Sequence, residues 1–132
     1  MGVQDIFGKI IGEQIPLLDV RVRRCDVSKD IVSVEMQFGE QTIHVRVDSA
    51  DDTIQISATE STLSIESEEA IPSTLSAAIG RRVEWWWLMQ NNQGYWDAIQ
   101  VEFAGDNGSP AVCIQLVAAA SALSVRNVVN ER

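Results

Sequence analysis

Val32-Ser33-Val34-Glu35-Met36-Gln37-Phe38-Gly39-Glu40-Gln41-Thr42-Ile43-His44-Val45-Arg46-Val47 alternates apolar and polar side chains on both sides of a Gly-Glu pair. Successive side chains of a strand point to opposite faces, so a period of two marks a strand with one buried face. Glycine at the first central position suits a two-residue type II′ hairpin turn. Pairing Phe38 with Gln41 then sets Met36 opposite Ile43, Val34 opposite Val45 and Val32 opposite Val47, and the apolar residues fall on one face. The same register puts His44 opposite Glu35 on the polar face.

Upstream, Leu18, Val20 and Val22 repeat the alternation. Before them Val3, Ile6, Phe7, Ile10 and Ile11 recur at helical spacing and are followed by Gly12, which predicts a short amphipathic helix with a glycine cap. Downstream, Ile54 and Ile56 give another short strand, and 57–69 reads as an acidic connector in which Leu63 and Ile65 suit an edge strand. Pro72-Ser73 opens a second short helix carrying Leu75, Ala78 and Ile79, ended by Gly80.

From there the pattern begins again. Ile11-Gly12 matches Ile79-Gly80, Asp30 through Met36 matches Asp97 through Phe103, and Ile43, Val45, Val47, Ile54 and Ile56 match Val112, Ile114, Leu116, Leu123 and Val125. The chain reads as one domain with pseudo-repeat A at about 2–57, a connector at about 58–70 and pseudo-repeat B at about 71–127. The expected class is α+β: mainly antiparallel β with two short helices, in two helix-plus-four-strand units whose sheets pack together, a strongly curved or barrel-like closure being one expected form.

The second unit holds the least common stretch, Val83-Glu84-Trp85-Trp86-Trp87-Leu88-Met89-Gln90, then Asn91-Asn92-Gln93-Gly94, then Tyr95-Trp96-Asp97-Ala98-Ile99-Gln100-Val101-Glu102-Phe103. Closed on a four-residue loop, this hairpin sets Trp86 opposite Ile99 and Glu84 opposite Val101. Trp86, Leu88, Ile99, Val101 and Phe103 then face the core. Val83, Trp85, Trp87, Met89, Trp96 and Ala98 take the other face, which is apolar too, whereas the matching outward positions of the first unit are Leu17, Asp19 and Arg21. Aromatic side chains each bury roughly 150–250 Å², more than a monomer ordinarily leaves in water as one cluster. Cover by the same chain or by a partner is required, and aromatic clusters lead interface hot spots.

The chemistry of catalysis is thin. With one histidine, two widely spaced cysteines (Cys25 and Cys113), no nucleophile elbow and no glycine-rich phosphate loop, neither a triad nor a zinc site is expected, and no metal or cofactor is implied. Nineteen acidic against ten basic residues give a formal charge of −9, which repels nucleic acid and anionic membranes. The first reading is a non-enzymatic, self-associating protein using Trp85, Trp87, Met89 and Trp96. A second is a small-molecule binder or enzyme with a pocket of Asn92, Gln93, Tyr95 and Asp97, in which burial would raise the Asp97 pKa toward acid–base work. A third is an acidic inhibitor or immunity-type protein presenting Asp48, Asp51, Asp52, Glu60, Glu66, Glu68 and Glu69 to a basic partner. Free thiols, no leader and no apolar run of membrane length predict a cytoplasmic protein.

The segment from Val83-Glu84-Trp85-Trp86 through Asn92-Gln93-Gly94-Tyr95 to Asp97-Ala98-Ile99-Gln100-Val101-Glu102-Phe103 resembles a small uncharacterised bacterial family, a domain of unknown function, over about the second half of the chain. The resemblance implies a bacterial, cytoplasmic setting and carries no activity.

Overall fold

Phe38–Gln41, Met36–Ile43 and Val34–Val45 are the pairs formed in a computed structural model of the chain, which describes residues 2–48, 50–60, 70–105 and 108–128. Gly39 takes φ +61°, as the first central position of a type II′ turn requires. This hairpin is the centre of a four-stranded antiparallel sheet, β1 (Leu17–Arg24), β2 (Ile31–Phe38), β3 (Gln41–Asp48) and β4 (Thr53–Thr59), in sequence order. A second sheet, β5 (Val83–Gln90), β6 (Trp96–Phe103), β7 (Val112–Ala119) and β8 (Ala122–Asn127), has the same order. The expected edge strand through Leu63 and Ile65, and Glu66, Glu68 and Glu69 of the acidic run, lie outside the described residues.

The barrel-like closure is corrected: the sheets stay separate and share one core, β2 meeting β8 and β4 meeting β6. Their only described ladder contact is a single antiparallel bridge between Pro16 and Arg82, flanked by Leu17 N–H donating to the Arg81 carbonyl at 2.9 Å and Gly80 N–H donating to Leu17 at 2.7 Å. Proline has no N–H to carry that ladder further.

The inner faces bury Phe38, Phe103, Val34, Met36, Ile43, Ile99 and Leu116. Helix α1 (Val3–Gly12) adds Ile6, Phe7 and Ile10, and Phe7 stacks on Trp86 with ring centroids 4.6 Å apart. Gly12, the expected cap, is instead the last helical residue, and the left-handed position falls on Gln14 at φ 54°. Gln14 N–H bonds to Ile11 and Ile15 N–H to Ile10, the bond pair of a Schellman turn. The second helix is shorter than its pattern: α2 (Ser73–Ser76) is one turn, after which Ala78 N–H and Ile79 N–H bond three residues back. Leu75 and Ala78 are buried, while Ile79 is exposed.

The duplication is present, but its alignment needs correcting. Phe38 and Phe103 each end a second strand and pair with the first residue of the preceding one, Leu17 and Val83. Leu17 thus corresponds to Val83, Phe38 to Phe103, Ile43 to Ile114 and Ile54 to Leu123. Asp30 therefore has no equivalence to Asp97. The spacing changes because the two-residue turn 39–40 becomes 104–111 in the second unit, while 49–52 shrinks to 120–121.

That short turn is suboptimal. Ala120 and Ser121 both hold positive φ, 51° and 63°, where a two-residue hairpin favours Asn-Gly. Left-handed backbone costs an L-residue about 1–2 kcal/mol. Ala120→Asn with Ser121→Gly is expected to raise the unfolding free energy by about 1–2 kcal/mol, seen as a higher urea midpoint at unchanged slope. The bond from Ser121 N–H to Asp52 Oδ1, 2.7 Å, comes from the backbone and survives the change.

Candidate functional site

The β5–β6 hairpin closes on five residues, not four. Asn91 N–H donates to the Tyr95 carbonyl at 2.9 Å, and Asn91 Oδ1 accepts from the N–H groups of Gln93 and Tyr95 at 2.9 and 3.1 Å. Gly94 turns at φ +88° and Gln90 Nε2 holds its carbonyl. The register consequently moves by two: Trp86 pairs with Val101 and Leu88 with Ile99. A shift of two preserves the faces, so Trp86, Leu88, Ile99, Val101 and Phe103 do look inward, as expected.

Irregularities at both ends change the edges of that assignment. A bulge between Val83 and Trp85 turns Val83 into the core, paired with Phe103. The same bulge between Leu17 and Asp19 turns Leu17 inward, so neither residue belongs to the outer face. At the other end a shift at Asp97 pairs Trp96 with Gln90, out of line with Trp85, Trp87 and Met89.

The outer face of the second sheet is built of cross-strand rows: Trp85–Glu102–Cys113, Trp87–Gln100–Gln115–Arg126 and Met89–Ala98–Val117–Ser124. Trp85 is 58% exposed, Trp87 40%, Met89 36% and Trp96 48%. Beneath them Ala98, Glu102 and Cys113 are buried, and Gln115 Nε2 ties Gln100 Oε1 to Met89 Sδ. Burial pushes the Cys113 thiol up, with the Glu102 carboxylate adding to the effect and the Gln100 side chain opposing it. Cys113 is thus a poor nucleophile.

In the first sheet the corresponding rows are Asp19–Gln37–Thr42–Thr59, Arg21–Glu35–His44–Ser57 and Arg23–Ser33–Arg46–Gln55. One scaffold therefore carries a charged face and a face whose β5 positions are apolar. His44 lies opposite Glu35 as expected, Nδ1 3.5 Å from Oε1, with Nε2 3.3 Å from Thr59 Oγ1. Arg23, Ser33 and Arg46 were not distinguishable as a group from composition; their common row appears only when three strands are set in register.

Of the pocket residues, Asn92, Gln93 and Tyr95 are exposed at the hairpin tip and Asp97 is half-buried beside them. The acidic run is partly engaged in turns: Asp48 accepts from Ala50 N–H and Gln55, Asp51 from Thr53, and Asp52 from Ser121. Cys25 and Cys113 are both free thiols; the Ser28 and Val27 backbone N–H groups, with the Ser28 hydroxyl, hold Cys25 below its usual value. Among the described residues no three His, Cys, Asp or Glu side chains gather as a metal site requires, and no helix is long and apolar enough to cross a membrane.

Comparison with curated proteins and with solved structures finds no match. A family of unknown function (DUF6334) matches residues 3–132, both units and not the second half alone, and the chain belongs to that family.

Proposed function

We propose that the chain is a non-enzymatic interaction protein that pairs with a second copy of itself through the outer face of β5–β8. The observation that carries this reading is the contrast between equivalent positions. Asp19, Arg21 and Arg23 of the first sheet correspond to Trp85, Trp87 and Met89 of the second, which stay 58%, 40% and 36% exposed. The scaffold itself does not require tryptophan there, and exposed aromatic surface is costly unless a partner uses it.

A second copy suits this face. Its exposed apolar side chains amount to roughly 300 Å², the size of a functional patch and of the centre of an interface burying about 800 Å² per partner. Gln100, Gln115 and Arg126 continue the Trp87 row across the sheet as polar side chains. With a two-fold axis along the strands, the row Trp87–Gln100–Gln115–Arg126 meets itself reversed, and Arg126 of one copy lies on the Trp87 ring of the other. Such a contact is self-complementary and adds a cation–π attraction.

The test is solution mass by light scattering on a sizing column across a concentration series, for the native chain and Trp87→Ser. The native protein is expected at twice 14.6 kDa. The variant is expected to be a folded monomer, its association weakened roughly 30-fold or more, as loss of a hot-spot aromatic implies. A native chain that stays at 14.6 kDa at every concentration would overturn the proposal.

A further inference from the structure

The charged face of the first sheet contains an open cleft of about 430 Å³ whose walls include Arg23, Ser33, Glu35, His44 and Arg46. Arg23, Ser33 and Arg46 are one cross-strand row, on β1, β2 and β3. Neighbouring strands lie about 4.8 Å apart, so the two arginine backbones stand roughly 10 Å apart with a serine between them. Ser33 is buried at the floor, while both arginines are exposed.

Other arginines of this sheet are engaged. Arg21 pairs with Asp19 at 2.9 Å, and Arg24 donates to the carbonyls of Lys29 and Ala70. Arg23 and Arg46 make no hydrogen bond or ion pair among the described residues. Glu35, a carboxylate in the cleft lining, stands 3.5 Å from His44 Nδ1. Two like charges in one row repel, and a chain with nineteen acidic side chains has placed none between them. The fold does not demand the charges either, because the equivalent row in the second sheet is Met89, Ala98 and Val117.

We propose that this cleft binds a phosphoryl group, carried by a small organic phosphate or free as phosphate, with Arg23 and Arg46 bonding its terminal oxygens and the Ser33 hydroxyl donating to it from the floor. A carboxylate has two oxygens and is satisfied by one guanidinium fork; a phosphate monoester offers three and a charge near −2, which uses both arginines. The ligand is small, since a net charge of −9 repels a polyanion. The cleft volume is within the usual range for small-molecule sites, and Val32 and Val47 line it with apolar surface for an organic substituent.

The experiment is an amide NMR titration at low ionic strength with inorganic phosphate, phenyl phosphate and acetate, on the native chain, Arg23→Gln, Arg46→Gln and Lys9→Gln. Both phosphates are expected to move the amides around Ser33 and Arg46. Each arginine variant, folded by its unchanged spectrum elsewhere, is expected to weaken binding about 10-fold or more, as loss of a charge-assisted fork implies. Lys9→Gln, which removes one positive charge from an exposed position on α1, is expected to bind like the native chain, and acetate at least 10-fold more weakly than phosphate. Tighter phenyl phosphate would identify an organic phosphate as the ligand, and tighter inorganic phosphate the free anion. The proposal fails if neither phosphate moves those amides, if acetate binds equally well, or if Lys9→Gln weakens binding as much as Arg23→Gln.

Discussion

Phe103→Ala is expected to lower the unfolding free energy by about 3–5 kcal/mol, and Phe38→Ala by a similar amount. Both rings are fully buried, and each ends the second strand of its sheet opposite the first residue of the strand before it. Truncation leaves a cavity that neighbours on two sheets cannot both close, so the loss exceeds the transfer term alone. Against a total of about 5–15 kcal/mol for an ordinary domain, either change is severe. Because the buried side chains of both sheets form one cluster, each variant should still unfold in a single urea transition, with a lower midpoint and unchanged slope. Two separate transitions, only one of them moved by Phe38→Ala, would mean that the units unfold independently.

The sequence displays the β2–β3 hairpin from Val34 to Val45 because its two faces differ in chemistry: Met36 and Ile43 against Gln37 and Thr42 leave one consistent register. The expected pair of Val32 with Val47 is absent from the ladder, Val32 being the residue skipped by the irregularity opposite Arg23 and Arg24. In the tryptophan strand that contrast is missing. From Trp85 to Met89 every residue is apolar, so an added residue at Glu84 or Asp97 changes which side its neighbours face without disturbing any visible alternation. Val83 and Trp96 are misread for that reason, and Leu17 by the equivalent bulge at Leu18. The repeat is detectable from its helices and strands, yet its alignment drifts because loops, whose lengths follow no pattern, absorb the difference between units. The arginine row is the least legible feature, since Arg23 and Arg46 are separated by a whole strand and meet only through pairing.

Phe7→Ala should separate the inside of the tryptophan strand from its outside. Trp86 is the one tryptophan of that strand on the core face, stacked on Phe7 with an interplanar angle of 17°, while Trp85 and Trp87 lie in the outer rows. Removing the Phe7 ring is expected to cost about 3–5 kcal/mol, through the cavity and the lost stack. A helix of ten residues has little stability of its own. With its central anchor gone, α1 should open more often than the sheets, and its amides should exchange with solvent well before those of β2 or β7. Solution mass should not change, because Phe7 and the Trp86 ring it stacks on belong to the core and not to the outer rows. Trp87→Ser is expected to do the reverse, altering mass while leaving α1 protected. If Phe7→Ala lowered the mass as Trp87→Ser does, association would depend on the packing of α1 and not on the tryptophan face.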